Sequence, residues 1–555
     1  MKREKIIIYQ VLPRLFGNRR LHPVFNGSKE ENGCGKLSDF TDKVLNEIKT
    51  MGCTHIWYTG LLEHATQTDY TAWGIRKDHP AIVKGKAGSP YAIKDYYDID
   101  PDLAENVSER MAEFEALVER THRTGLKVII DFVPNHVARQ YHSDVRPEGI
   151  EDLGAFDRPE MAFAPDNNFY YIPGQTFAPD FSLESEIGDY LEYPAKATGN
   201  DCFSAHPTRN DWYETVKLNY GIDYIHGGQT YFSPDLSTWK KMRDILLFWA
   251  NKGVDGFRCD MVEMTPVEFW AWAIPQVKEQ HPAIAFIAEV YDPYQYRNYL
   301  HTGKFDYLYD KVGLYDTLRA VVAGEQPAKT LTHCWQSVGD IQTQMLNFLE
   351  NHDEQRIASD FFAGNPFHAL PALIVSATLS SNPFMLYFGQ ELGERGMDTE
   401  GFSGCDGRTS IFDYWSIFSF RQELTEDQKK LRRYYATILQ ECNCSKAIRE
   451  GKFYDLMYVN PASDHFDPDK QFAYMRYHEG ELLLIVAHFG DTDQEISIFL
   501  PEHAFAYFGI IEEKNFHRVK NLITNKNESA ALKRDSFYPV YLPAHNAVII
   551  QFVNS

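Results

Sequence analysis

Up to about residue 444, short apolar runs alternate with stretches whose apolar positions recur every three or four residues, which predicts strands followed by helices. Ile6-Ile7-Ile8 runs straight into Tyr9-Gln10-Val11-Leu12 and reads as a strand, and Thr54-His55-Ile56-Trp57-Tyr58 as another. Lys127-Val128-Ile129-Ile130-Asp131-Phe132-Val133 is almost unbroken apolar, as a parallel strand buried on both faces should be. Gly256-Phe257-Arg258-Cys259-Asp260 and Ala285-Phe286-Ile287-Ala288-Glu289 are two more. The helical patterns are Val107 to Thr124, opened by Ser108 and ended at Gly125, then Met242 to Asn251, closed by Gly253, and Phe269 to Gln280. Such alternation predicts a parallel α/β fold.

Spacing sharpens this. Asp260 to Glu289 is 29 residues, one strand–helix repeat, and Glu289 to Asp353 is 64, about two. Asp131 to Asp260 is 129 residues, about a hundred too many for one repeat, so an insertion follows the strand ending at Asp131. The inserted stretch is rich in Tyr, Phe, Pro, Gly and Asp and has little helical period. It reads as an irregular lobe over the C-terminal face of a barrel, where barrel enzymes keep their chemistry. From residue 445 short strand-like runs take over (Phe453 to Val459, Gln471 to Tyr477, Leu482 to Phe489, Glu495 to Leu500, Val540 to Phe552), predicting an all-β sandwich. The expected division is 1–136 and 238–444 for the barrel, 137–237 for the lobe and 445–555 for the sandwich.

Composition narrows the partners. The 555 residues carry 55 Lys+Arg against 78 Asp+Glu, a formal charge of −23, so nucleic acid and anionic membrane surfaces would be repelled. An apolar share of 44% excludes intrinsic disorder. Aromatics at 14% beside many carboxylates suit an uncharged ring such as a sugar, although most of those rings serve a core. No run is long enough to span a membrane and Ile6-Ile7-Ile8 is too short for a signal segment, so a cytoplasmic location is expected unless a signal was removed. Eight cysteines, at 34, 53, 202, 259, 334, 405, 442 and 444, lack zinc-site spacing and are expected as reduced thiols.

Four segments put polar groups at the C-terminal ends of expected barrel strands: Asp131-Phe132-Val133-Pro134-Asn135-His136, Gly256-Phe257-Arg258-Cys259-Asp260, Ala288-Glu289-Val290 and Phe348-Leu349-Glu350-Asn351-His352-Asp353. Each alone has a bland explanation as a helix cap, an ion pair, a strand end or a turn. Together, in this order, they resemble the short motifs of the α-amylase superfamily, family 13 of the glycoside hydrolases. Gly52-Cys53-Thr54-His55-Ile56-Trp57, Ser233-Pro234-Asp235-Leu236-Ser237 and Gly389-Gln390-Glu391 are similar to its minor motifs. The resemblance covers most of the chain and implies a (β/α)8 TIM barrel with a lobe after strand 3 and a C-terminal β-domain.

It also implies a retaining glycosidase: Asp260 as nucleophile, Glu289 as acid and then base, Asp353 stabilising the oxocarbenium-like transition state. Retention needs the first two about 5–5.5 Å apart, which adjacent parallel strands can supply. Arg258, two residues before Asp260, points to the same side and would keep it ionised. Crowding by other carboxylates would keep Glu289 protonated. His136 and His352 would hydrogen-bond the sugar in the cleaved subsite, and Tyr91 would stack on it. The implied substrate is an α-glucan or malto-oligosaccharide, with no cofactor needed for the chemistry. Asn135 matches a position that ligates calcium in many amylases, so one structural Ca2+ is an expectation there. Two departures from the family stand out. Glu263 and Met264 replace a Lys-His pair on the leaving-group side, which leaves a transglycosylase or isomerase open. Gly88 stands where exo-acting α-glucosidases carry an acid, which favours an open cleft. A glucan-binding scaffold with a dead site would lack one of the three carboxylates, and all three are present. Chain length of the substrate and oligomeric state are left open.

Overall fold

A computed structural model describes the chain except residues 1–3, 184–187, 397–409, 512–515, 528–530 and 555. Eight strands close into a barrel: β1 (Ile7–Val11), β2 (His55–Tyr58), β3 (Lys127–Phe132), β4 (Gly256–Cys259), β5 (Ala285–Ala288), β6 (Tyr307–Tyr309), β7 (Met345–Phe348) and β8 (Phe384–Tyr387). Every neighbouring pair is parallel, and β8 closes on β1 with Ile7 opposite Phe384. The strands are buried almost throughout, which is why β3 reads as an apolar run. In the register of β3, β4 and β5, Asp131 lies opposite Arg258 and Arg258 opposite Ile287, so the motif residues emerge side by side at the C-terminal ends.

Helices return the chain to the bottom of the barrel. α1 (Asp42–Met51) is capped by Thr41, whose side chain accepts from Val44 N, and it ends on Gly52 at φ 116°. α2 (Arg110–Arg123) starts later than the expected Ser108, because the Asn106 side chain takes Ser108 N and holds Val107–Glu109 in a 3-10 turn. α3 (Ser237–Asn251) begins before the expected Met242, and α4 (Val267–Gln280) before Phe269.

Between β3 and α3 the described residues form short antiparallel pairs: His136–Ala138 with Thr215–Lys217, Tyr171–Ile172 with Ala195–Lys196, and Ile222–Asp223 with Gln229–Thr230. Toward the C-terminus a six-stranded antiparallel sheet (Lys452–Asp455, Gln471–His478, Glu481–His488, Asn546–Asn554, Phe516–Asn521, Lys526–Asn527) accompanies the pair Gln494–Leu500 and Ser536–Leu542. The expected single run Val540 to Phe552 is two strands, broken at Pro543-Ala544-His545, where His545 takes φ 47°. The seven described cysteines are unpaired, and Cys405 lies outside the described residues. No described helix is long and apolar enough to cross a membrane.

Candidate active site

The buried guanidinium of Arg258, on β4, organises the catalytic end. Its Nη1 donates to Asp260 Oδ1 at 2.8 Å and lies 3.6 Å from Asp131 Oδ1. Nη2 is 2.8 Å from Glu289 Oε1, an ion pair whose N–H direction is not that of an aligned hydrogen bond. Nε donates to the Tyr309 hydroxyl at 3.2 Å. The rings of Trp57, Tyr91 and Tyr309 surround the cation at 5.3, 5.4 and 5.6 Å, which fixes a planar group that lysine could not mimic.

Asp260 and Glu289 leave adjacent strands, tied by Asp260 N to Phe132 O at 2.9 Å and Glu289 N to Cys259 O at 3.1 Å. Glu289 Oε2 accepts from Met261 N at 2.8 Å and Oε1 from the Tyr291 hydroxyl at 2.6 Å. Burial pushes the Glu289 carboxyl up. Arg258 opposes the rise and the Asp260 charge adds to it, so burial rather than crowding leads. Burial raises Asp260 as well, offset by Arg258 and by a hydrogen bond with Glu289. Asp353 is half-buried, turned by Asn351 Oδ1 accepting its amide at 2.9 Å, and it too is pushed well up by burial and by the Glu289 charge.

His352 Nδ1 faces Gln10 Nε2 at 2.8 Å. The amide can only donate, so Nδ1 accepts and Nε2 carries the proton. That proton points between Asp353 Oδ2 at 3.0 Å and the Tyr91 hydroxyl at 2.5 Å. Tyr91 stacks on His352 at 5.2 Å and donates to Asp131 Oδ1 at 3.3 Å. Burial and Arg258 hold His352 well below the usual imidazole range, and burial brings His136 down to about 4, so both are neutral hydrogen-bonding rings. Asp131 accepts from Trp57 Nε1 at 3.1 Å and Gly60 N at 3.2 Å, and burial raises it to about 7.

One cavity of about 380 Å³ is lined by Tyr91, His136, Asp260, Glu289 and Asp353, together with Tyr291. The expected catalytic and sugar-binding residues therefore meet in one place, with Arg258 and His352 directly behind the lining. Tyr291, Tyr309 and Gln10 went unnoticed in the sequence. Only Tyr291 carried a signal, two positions after Glu289 on a segment leaving a strand.

Asn135 departs from the expected calcium ligand. Its Oδ1 accepts from Lys217 Nζ at 2.9 Å and its Nδ2 donates to Gly199 O at 2.7 Å. Lys217, itself buried, also pairs with Asp201 at 2.5 Å. The oxygen that would face a divalent ion is occupied by an ammonium, and two cations do not share one carbonyl in a buried site. The donor set here does not fit calcium. Glu263 and Met264 do not line the cavity: Glu263 accepts from the amides of Tyr291 and Asp292, and Met264 Sδ lies 3.6 Å from Asn135 Nδ2. Gly88 sits at φ 78°, and a Cβ there would lie 1.7 Å from the Ala65 carbonyl oxygen, so no acid fits that backbone.

A closed parallel barrel that gathers carboxylates from three strand ends into one cavity has the place and the acid–base groups of a barrel enzyme. The chain belongs to the α-amylase family, whose model, described as the alpha amylase catalytic domain, matches residues 10–446. It is 22% identical over 464 residues to Alpha-amylase 3 of Dictyoglomus thermophilum, covering 79% of this chain and 80% of that one. Over 208 residues, 37% of this chain and 25% of the relative, it is 27% identical to an alpha-1,4-glucan:maltose-1-phosphate maltosyltransferase of Cereibacter sphaeroides. Its fold is similar to that of the maltogenic alpha-amylase AmyB from Thermotoga neapolitana, with a TM-score of 0.63, 20% identity and full coverage of both chains.

Proposed function

We propose that this chain is a retaining glycosidase that cleaves α-1,4 bonds in α-glucans or malto-oligosaccharides through a covalent glycosyl-enzyme. The observation that carries the reading is the pairing of Asp260 and Glu289 on adjacent strands about Arg258, in one cavity with Asp353. Arg258 Nη1 donates to Asp260 Oδ1 and favours its ionised form, while burial and the Asp260 charge raise the Glu289 carboxyl, which suits Asp260 as nucleophile and Glu289 as acid. Asp260 then attacks the anomeric carbon while Glu289 protonates the leaving oxygen, and Glu289 afterwards takes a proton from the incoming water. Asp353, beside the neutral His352, would grip sugar hydroxyls and face the developing positive charge. Tyr91 would supply the stacking face and His136 a hydroxyl contact. Lys217 would supply the positive charge at Asn135, so calcium is not needed there.

Incubation with maltoheptaose tests the reading. Shorter sugars alone, with the α-anomer first by proton NMR, are the expected outcome, and an initial β-anomer would sink retention. Longer products would mark a transglycosylase. That second reading is favoured by the likeness to a maltosyltransferase over part of the chain. No turnover at all would favour a glucan-binding scaffold.

A further inference from the structure

The two oxygens of Glu263 take two successive backbone amides, Tyr291 N at 2.7 Å and Asp292 N at 3.0 Å. Those amides belong to the loop that leaves β5 directly behind Glu289. From the same loop, the Tyr291 hydroxyl turns into the cavity and donates to Glu289 Oε1 at 2.6 Å. The other oxygen of Glu289 is held by Met261 N at 2.8 Å, from a residue in left-handed backbone at φ 41° and ψ 48°. Met261 and Glu263 both lie in the turn that follows Asp260, so one turn grips the Glu289 carboxyl and the loop behind it. An anion at position 263 makes physical sense here, because the groups it faces are N–H donors.

We propose that Glu263 and Tyr291 are positioning residues for the acid–base group: Glu263 fixes the backbone from which the Tyr291 hydroxyl holds the Glu289 carboxyl toward the cavity. The proposal rests on reading Glu289 as that group. Five side chains bear on the charge of Glu289: Arg258 and Asp260 from β4 and the turn after it, Tyr309 from β6, Asp353 from beyond β7, and Tyr291 from its own loop. Arg258 and the Tyr291 hydroxyl favour the carboxylate, and Asp260 and Asp353 favour the acid. Tyr309 is a neutral hydroxyl that accepts from Arg258. Loss of the Tyr291 hydroxyl tips the balance toward the protonated form.

The experiment is the pH profile of kcat/KM on maltoheptaose, whose alkaline limb reports protonated Glu289 in the free enzyme. Tyr291→Phe should move that limb up by about 0.5–1 pH unit, the worth of one neutral hydrogen bond. Glu263→Gln replaces one acceptor with a donor facing an amide and should move the limb the same way. The double variant should move it no further than Tyr291→Phe alone, since Glu263 acts through Tyr291. Lower activity with an unmoved limb is what a merely structural role gives, and it would overturn the proposal, as would additive shifts. Glu289→Gln is measured alongside. If it is impaired while the Tyr291→Phe limb stays put, only the positioning role is wrong. If it turns over maltoheptaose normally, the acid assignment fails and the proposal falls with it.

Discussion

Lys217 Nζ lies 2.9 Å from Asn135 Oδ1, so a lysine ammonium takes the contact expected of a metal ion. If no ion is held at Asn135, any fall in melting temperature on chelation should be the same in Asn135→Ala as in the wild type, whereas an ion bound there would make the two differ. Lys217→Ala leaves Asn135 Oδ1 without its donor and Asp201 without its cation. Asp201 is 41% exposed at its side chain and regains water, so the loss should be about 2–3 kcal/mol, at or below the low end for breaking a buried pair. Urea unfolding of the two proteins gives that difference directly.

Gly88 tests whether this cleft can be closed by a single substitution. Gly88→Asp would introduce an acid at this position, but the backbone forbids it: φ is 78° and the new Cβ would meet the Ala65 carbonyl at 1.7 Å. Left-handed strain and overpacking together should cost about 2–5 kcal/mol. The expected result is a lower melting temperature with no gain of activity on maltose. A stable, maltose-cleaving Gly88→Asp would show that the 85–91 loop can move.

Lys5 gives stability a pH dependence far from the active site. It is buried, donates to Ser380 O at 2.6 Å, and burial brings its amine down to about 7 from 10.5. The unfolded chain binds the extra proton between those values, so the stability penalty is full below about pH 7 and fades toward pH 10.5. Compared with Lys5→Met, the wild type should gain stability as pH rises from 7 to 10. Paired thermal melts at the two pH values read the gap, and a constant gap would mean that Lys5 stays charged when folded.

The sequence exposed what depends on local period and on short motifs. The run at 127–133, the Arg258-x-Asp260 pair and the order of the four motifs led to the barrel and to its carboxylates. Contacts between distant segments stayed hidden. Nothing in Thr215-Val216-Lys217 announces a lysine that will meet Asn135, because that meeting depends on the antiparallel pairing of His136–Ala138 with Thr215–Lys217. Gln10 likewise reaches His352 only because β1 closes the barrel against β8, near the end of β7. β6 was implied only by spacing, since Tyr307-Leu308-Tyr309 is too short to show a period. The break at Pro543-Ala544-His545 was missed although proline marks it, because apolar residues continue on both sides.

The three carboxylates should separate by their response to the leaving group. Asp260→Asn should abolish turnover of glucans and activated donors alike, because no ester can form. Glu289→Gln removes the proton donor, so glucans should suffer by a factor of about 10³ or more. An aryl or fluoride donor needs little protonation, so its first step should partly survive. The second step then lacks its base, and a glycosyl-enzyme should accumulate as a mass increase on the protein. Azide needs no base, so it should release that adduct and restore part of the turnover. Asp353→Asn should slow both substrate types to a similar degree, because oxocarbenium charge develops in both steps. All three carboxylates line one cavity, so a loss of activity alone would not tell them apart. The decisive contrast is Glu289→Gln against Asp260→Asn on an activated donor with azide. If Asp260→Asn traps the adduct, or if Glu289→Gln is no worse on glucans than on activated donors, acid and nucleophile are assigned to the wrong residues.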